Sequence, residues 1–150
     1  MKSHSRAGKV FTELVLETFR FNGRLLSAGD NLTKPFDLSS ARWQVLGAIV
    51  DRPLSIAQIS RNMGVARQSV QRLADNMEKT GMVEFVPNPD HQRAKLMRLS
   101  ENGQQVMKRL SQRQIQWANK IASGASGEEI EAALALIGKL RLRLEKNALQ

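Results

Sequence analysis

The chain has 150 residues, enough for one domain with a substantial core and too few for two independent ones. Its 23 Lys and Arg against 14 Asp and Glu leave +9 at neutral pH, which points to a polyanionic partner and gives 2 × 9 = +18 for a dimer. The lack of cysteine excludes disulfides, thiolate metal sites and thiol redox sensing, and it fits a reducing compartment.

The first segment, MKSHSRAGKV, has no apolar core of signal-peptide length, and no stretch approaches the roughly 20 apolar residues of a membrane span. A soluble, cytoplasmic protein without membrane contact is expected. From Lys9 to Ser27, Phe11, Leu14, Thr18, Phe21 and Leu25 recur at steps of three and four, predicting a long amphipathic helix that Gly29, Asp30, Asn31 and Pro35 interrupt. Ser39 is the expected cap of a short, mostly buried second helix, SARWQVLGAIV, closed by Asp51, Arg52 and Pro53.

Ser55 then caps a helix from Ile56 to about Asn62, and Gly64 permits a tight turn. The next helix runs from about Arg67 to Thr80, with Val70, Leu73, Ala74 and Met77 turned inward, and stops at Gly81. Beyond it the period changes. Val83 and Phe85 alternate, a Pro-Asn-Pro-Asp turn follows, and Lys95, Met97 and Leu99 alternate again, predicting a two-stranded hairpin with a basic tip.

Ser100 opens a long helix with Met107, Leu110, Gln114, Trp117 and Ile121 on one stripe, lasting to the break at 123–127. Ser126 and Glu129 are spaced as a capping box. The last helix turns Ile130, Ala133, Leu134, Ile137, Leu140 and Leu144 inward and gathers Lys139, Arg141, Arg143 and Lys146 near its negative end. The fold class expected is mainly α with a small two-stranded β wing.

With Val70 inward, Gln68, Arg72, Asp75 and Lys79 fall on the opposite side of their helix, flanked by Ser69, Gln71 and Asn76. Such a face is of no use to a core. Arg can grip guanine and Gln adenine through two hydrogen bonds each, and Ser serves a base or a phosphate. Taken alone the face also fits plain solvated surface. A short helix and Gly turn before it and a basic hairpin after it make a winged helix-turn-helix, whose partner is double-stranded DNA.

Catalysis is not expected: only His4 and His91 are available, there is no Cys or Tyr, and no Ser lies in a nucleophile-elbow or phosphate-loop motif. No cofactor is called for, and no cluster with metal-ligand spacing is evident. Met63, Met77 and Met107 fall on inward stripes, where gap-filling is the usual use of methionine. A basic protein that coats DNA through charge alone would share the composition but would need no polar reading face.

The stretches RWQVLGAI, SIAQISRNMGVARQSVQRLADNMEKTGMVE and NPDHQRAKLMRLSENG resemble the second helix, helix-turn-helix and wing of the MarR (multiple antibiotic resistance regulator) family of transcriptional regulators. In element order the resemblance covers nearly the full chain. It implies one unit over 1–150, with 39–103 as the winged helix-turn-helix and 1–38 and 104–150 as dimerisation helices. It also implies a homodimeric repressor of a pseudo-palindromic operator, released by a small aromatic or anionic effector.

Carried over residue by residue, Arg67, Gln68, Ser69, Gln71 and Arg72 match the recognition-helix positions, and Arg93 matches the wing-tip arginine that enters the minor groove. Two departures stand out: Ala66 replaces the usual hydroxyl cap before the recognition helix, and His91-Gln92-Arg93 replaces an Asp-Arg-Arg wing motif. Ser55, Arg61, Arg67 and Lys95 are the expected phosphate contacts, and Gln68, Ser69, Gln71 and Arg72 the base readers. Phe21, Arg24, Trp43 and Trp117 could line an effector pocket, or serve simply as core and surface.

Overall fold

The computed structural model describes residues 3–148. Among them the chain runs α1 (Arg6–Thr33), a 3-10 turn (Lys34–Phe36), α2 (Ser40–Ala48), α3 (Ile56–Met63), α4 (Arg67–Lys79), β1 (Val83–Val86), β2 (Leu96–Leu99), α5 (Glu101–Ala122) and α6 (Gly127–Asn147). The mainly α architecture with a two-stranded antiparallel wing is the expected one.

The first helix is longer at both ends than the expected Lys9–Ser27. It starts behind Ser5, whose side chain accepts from the Gly8 amide, and runs through Gly29, Asp30 and Asn31 to Thr33. Those three residues read as a breaker because they disfavour a helix in isolation. Here they dock α2. A Cβ on Gly29 would lie 2.6 Å from the Ser40 hydroxyl oxygen, so only glycine allows that approach. The Asp30 carboxylate accepts from the Ser40 amide at 2.8 Å, giving α2 a second acceptor at its start. Thr33 is fully buried, its hydroxyl 2.7 Å from the carbonyl oxygen of Gly29 and 3.0 Å from that of Leu38.

Ser39 caps α2 as expected, by accepting from the Arg42 amide, but the helix stops at Ala48 and Ile49 and Val50 lie beyond it. Ser100 precedes α5 instead of opening it: its hydroxyl accepts from the Gly103 amide at 2.9 Å. The Ser126–Glu129 capping box at the head of α6 is present in both directions. Hydrogen bonds from Ser126 to the Glu129 carboxylate hold its pKa below the usual carboxylate range. The box therefore supports α6 above that range, and the support is lost as acid protonates Glu129.

The chain divides into two compact units, one ending at Leu110 and the other beginning at Ser111, with the boundary inside α5. In the first unit Val45, Leu46, Ile59, Val70, Ala74, Met77, Met97 and Leu110 are fully buried in one core, with Met63, Leu73, Phe85 and Met107 packed against it. Burying each of the valine, leucine, isoleucine and methionine side chains among the fully buried residues contributes about 1.5–3 kcal/mol. The apolar stripe of α1 is largely on the surface: Phe11, Phe21 and Leu25 are exposed. In the second unit, which holds the end of α5 and all of α6, the same holds for Ile121, Ile130, Leu134, Ile137 and Leu144. The periodicity in these helices is real, yet among the described residues these side chains stand exposed.

Gly103 shows how closely the wing base is built. A Cβ there would lie 2.0 Å from the Met82 carbonyl oxygen, which itself accepts from the Ser100 amide at 3.0 Å. Backbone cannot give way as a side chain would. Gly103→Ala is expected to lose roughly 1–3 kcal/mol, read as a lower urea midpoint at unchanged slope; an unchanged midpoint would show that the wing base yields freely.

Candidate DNA interface

The interface is built outward from two turns. Ser55 caps α3 in a full capping box: its hydroxyl accepts from the Gln58 amide at 3.2 Å, and the Gln58 side-chain oxygen accepts from the Ser55 amide at 2.8 Å. Gly64 then takes φ +66°, a left-handed value that glycine adopts without penalty. The Ser60 hydroxyl donates to the Val65 carbonyl, and the Val65 amide donates to the Ser60 carbonyl at 3.2 Å, closing the turn between α3 and α4. At the start of α4, Ala66 offers no side-chain cap, as its methyl group dictates.

Because Val70, Ala74 and Met77 are fully buried, the opposite face of α4 is turned to solvent. Arg67, Gln68, Ser69, Gln71, Arg72, Asp75, Asn76 and Lys79 are all exposed. Gln71 Nε2 donates to Asp75 Oδ1 at 2.8 Å along that face.

The wing pairs Val83 with Leu99, Glu84 with Arg98, Phe85 with Met97 and Val86 with Leu96. Met97 and Leu99 are buried while Arg98 is exposed, so the expected alternation holds there, and Lys95 lies just before the strand. Leu54 forms a bridge to Met97 that the sequence reading did not include: the Leu54 amide donates to the Met97 carbonyl at 3.2 Å and the Met97 amide to the Leu54 carbonyl at 2.8 Å. A single residue between Pro53 and Ser55 carries no period. The bridge places the α3 cap beside the wing root.

At the wing tip Asn88 Oδ1 accepts from the Asp90 amide at 3.0 Å, and His91 Nδ1 accepts from the Ala94 amide at 3.2 Å. His91 therefore takes the part of turn-organising acceptor in the departed wing motif. Among the described residues Arg93 and Asp90 form no salt bridge, which leaves the Arg93 guanidinium exposed and available.

Two open clefts join these parts. The first, about 640 Å³, lies between α4 and the wing and is lined by Ser55, Arg67, Gln68, Gln71, Asp75, Glu78, Arg93 and Lys95 among others. The second, about 570 Å³, is lined by Arg52, Ser55, Gln58, Arg61, Arg67, Asn88, Asp90 and His91 among others. All the expected phosphate contacts and the readers Gln68 and Gln71 thus border one cleft or the other; Ser69 and Arg72 stand exposed on α4 outside their linings. Ser55 is buried, with its oxygen engaged as a cap and its hydroxyl hydrogen still free to donate.

Of the four expected effector residues, three belong to the first unit and Trp117 to the second. Phe21 and Arg24 are exposed on α1, Trp43 is half-buried against the core, and Trp117 is half-buried in the second unit. None of the four lines the two clefts above. Nor does any line a third, smaller cleft of about 300 Å³ bordered by Phe36, Arg42 and Arg109, where the Arg109 guanidinium lies 5.4 Å from the Phe36 ring centre.

Residues 36–94, which carry α2, the helix-turn-helix and most of the wing, match the MarR family. Uncharacterised proteins of Mycobacterium bovis and Mycobacterium tuberculosis are 34% identical to this chain over 119 residues, which cover 79% of it and 83% of each of them. This chain belongs to the MarR family. Solved MarR-type structures share its fold. The transcriptional regulator BldR from Sulfolobus solfataricus superposes with a TM-score of 0.80 at 17% identity, covering 93% of this chain and 99% of that one. A MarR/EmrR family regulator from Acinetobacter gives 0.81 at 17% identity, over 91% and 98%. As a MarR-family protein the chain is a DNA-binding transcriptional regulator and not an enzyme. No helix among the described residues is long and apolar enough to cross a membrane.

Proposed function

We propose that this protein is a homodimeric repressor that binds a pseudo-palindromic operator through α4 and the wing. The observation that carries the reading is the exposed face of α4, where Gln68 and Gln71 line a cleft shared with Arg93 and Lys95 and Ser69 and Arg72 stand exposed on the same helix. Helix side chains read base edges in the major groove, and a basic wing tip reaches the neighbouring minor groove. Ser55, Arg61, Arg67 and Lys95 contact phosphates and set the register. With no hydroxyl at Ala66, the first amides of α4 are left for a phosphate oxygen to satisfy.

Dimerisation is supported by the uncovered apolar residues of 1–38 and 104–150. Phe19 and Phe21 on α1 and Ile130, Leu134 and Leu144 on α6 are exposed in a single chain. A second copy is the occupant that makes these helices a self-complementary interface, and its two-fold axis matches the symmetry of the operator. Effector release is the last part of the reading: Phe21, Arg24, Trp43 and Trp117 contact a small aromatic anion once the dimer is assembled.

Sedimentation is expected to give the mass of two chains, 2 × 16.8 = 33.6 kDa, and Leu134→Glu is expected to shift it toward 16.8 kDa; a monomer in the unsubstituted protein at micromolar concentration would remove the dimer. In a salt series, the promoter duplex upstream of the protein's own gene is expected to bind about 10³-fold more tightly than a shuffled duplex. Arg72→Ala should cost about 1–3 kcal/mol at one base position, whereas equal binding to both duplexes by the unsubstituted chain would leave a charge-driven DNA coat. Titration with salicylate as probe is expected to quench tryptophan fluorescence and weaken operator binding; neither change would end the effector assignment.

A further inference from the structure

Asp75 and Glu78 are the acids of a face and cleft otherwise rich in amides, hydroxyls and cations, and among the described residues Asp75 is the one of the two whose carboxylate holds a hydrogen bond. It lies one helical turn beyond Gln71, is exposed, and lines the same cleft as Arg93 and Lys95. Among the described residues it forms no salt bridge, so neither of those cations accounts for it. Its hydrogen-bond partner is Gln71, whose Nε2 donates to Asp75 Oδ1 at 2.8 Å. A carboxylate facing DNA is repelled by the phosphates. Asp75 therefore weakens the attraction that the net charge of the chain supplies, and its place on this face needs another cause.

The bond itself supplies one. An ionised carboxylate only accepts, so it fixes which end of the Gln71 amide turns toward it. The nitrogen lies against Asp75, and the second N–H and Oε1 remain free, a donor beside an acceptor. Adenine presents the complementary pair in the major groove, N7 to accept and the N6 amino group to donate. Turned over, the same amide would set an acceptor against N7.

We infer, on the reading of α4 proposed above, that Asp75 is a positioning residue for base recognition, holding the Gln71 amide in the orientation that reads adenine at one position of each half-site. Spacing of four residues on one helix keeps the pair together before DNA arrives, so less side-chain freedom is lost on binding. Asp75 contacts no base. It trades general attraction to phosphate for selectivity at the base that Gln71 reads.

Selection of duplexes from a randomised pool by the full-length protein, followed by sequencing, tests this with Asp75→Ala, Asp75→Asn, Gln71→Ala and the double Asp75→Ala, Gln71→Ala. Gln71→Ala and Asp75→Ala are each expected to lower adenine enrichment at the same position by about tenfold, with the double variant no worse than Gln71→Ala alone. Asp75→Asn keeps an accepting Oδ1 but also offers a donor, so it holds the amide less firmly and is expected to fall between the unsubstituted chain and Asp75→Ala, while Asp75→Ala, having lost a negative charge, binds shuffled duplex more tightly. Unchanged enrichment in Asp75→Ala, losses that add in the double variant, or an Asp75→Asn as impaired as Asp75→Ala would each overturn the inference. A protein that selects an operator and loses it with Arg72→Ala, but not with Asp75→Ala, leaves the reading of α4 standing; one that enriches no sequence overturns both.

Discussion

A helix of thirteen residues can bury one stripe against a core and must show water the rest, and in α4 the buried stripe is Val70, Ala74 and Met77. That single constraint decides the functional face. With those three fully enclosed, rotation about the helix axis would expose apolar surface and bury the Arg72 and Gln68 side chains, at a cost of several kcal/mol. Everything else in the first unit reinforces the choice. Ile59 of α3 and Met97 of β2 belong to the same core, Gly64 fixes the turn before α4, and the Leu54–Met97 bridge holds the wing root beside the α3 cap.

The polar surface is arranged by local bonds of modest strength. Exposed pairs such as Gln71–Asp75 and Glu84–Arg98 add little to stability, since water competes for every group in them. Their effect is on orientation. The same holds at the wing tip, where Asn88 and His91 accept from backbone amides two and three residues on and shape the turn that presents Arg93. Stability thus comes from the apolar stripe and geometry from the short polar contacts.

Elements whose signals are local were legible in the sequence. Ser39, Ser55 and Ser126 cap where their hydroxyls and spacing say they should, and Gly64 ends α3 because the backbone there needs a left-handed residue. The exposed polar face of α4 was legible for the same reason, as it is the complement of a clear apolar stripe. What sequence could not carry were contacts between distant segments. Gly29 and Asp30 look like a break until Ser40 is set against them, and Leu54 shows no strand period because it pairs alone. The apolar stripe of α6 gave the right helix but the wrong burial, because periodicity tells which side is sticky and not what covers it. Asp75 was visible on the reading face, but its bond to Gln71 depends on side-chain rotamers that spacing leaves open.

The Leu54–Met97 bridge encloses α3, α4 and β1 in a single loop of chain. Helices form from neighbours in sequence and can appear early, whereas this pairing must bring distant residues together and meets the entropy of closing the loop first. Closure of that loop is therefore expected to follow the formation of the helices within it. A nascent chain would acquire its helices well before α4 and the wing hold the fixed separation that a groove in DNA demands.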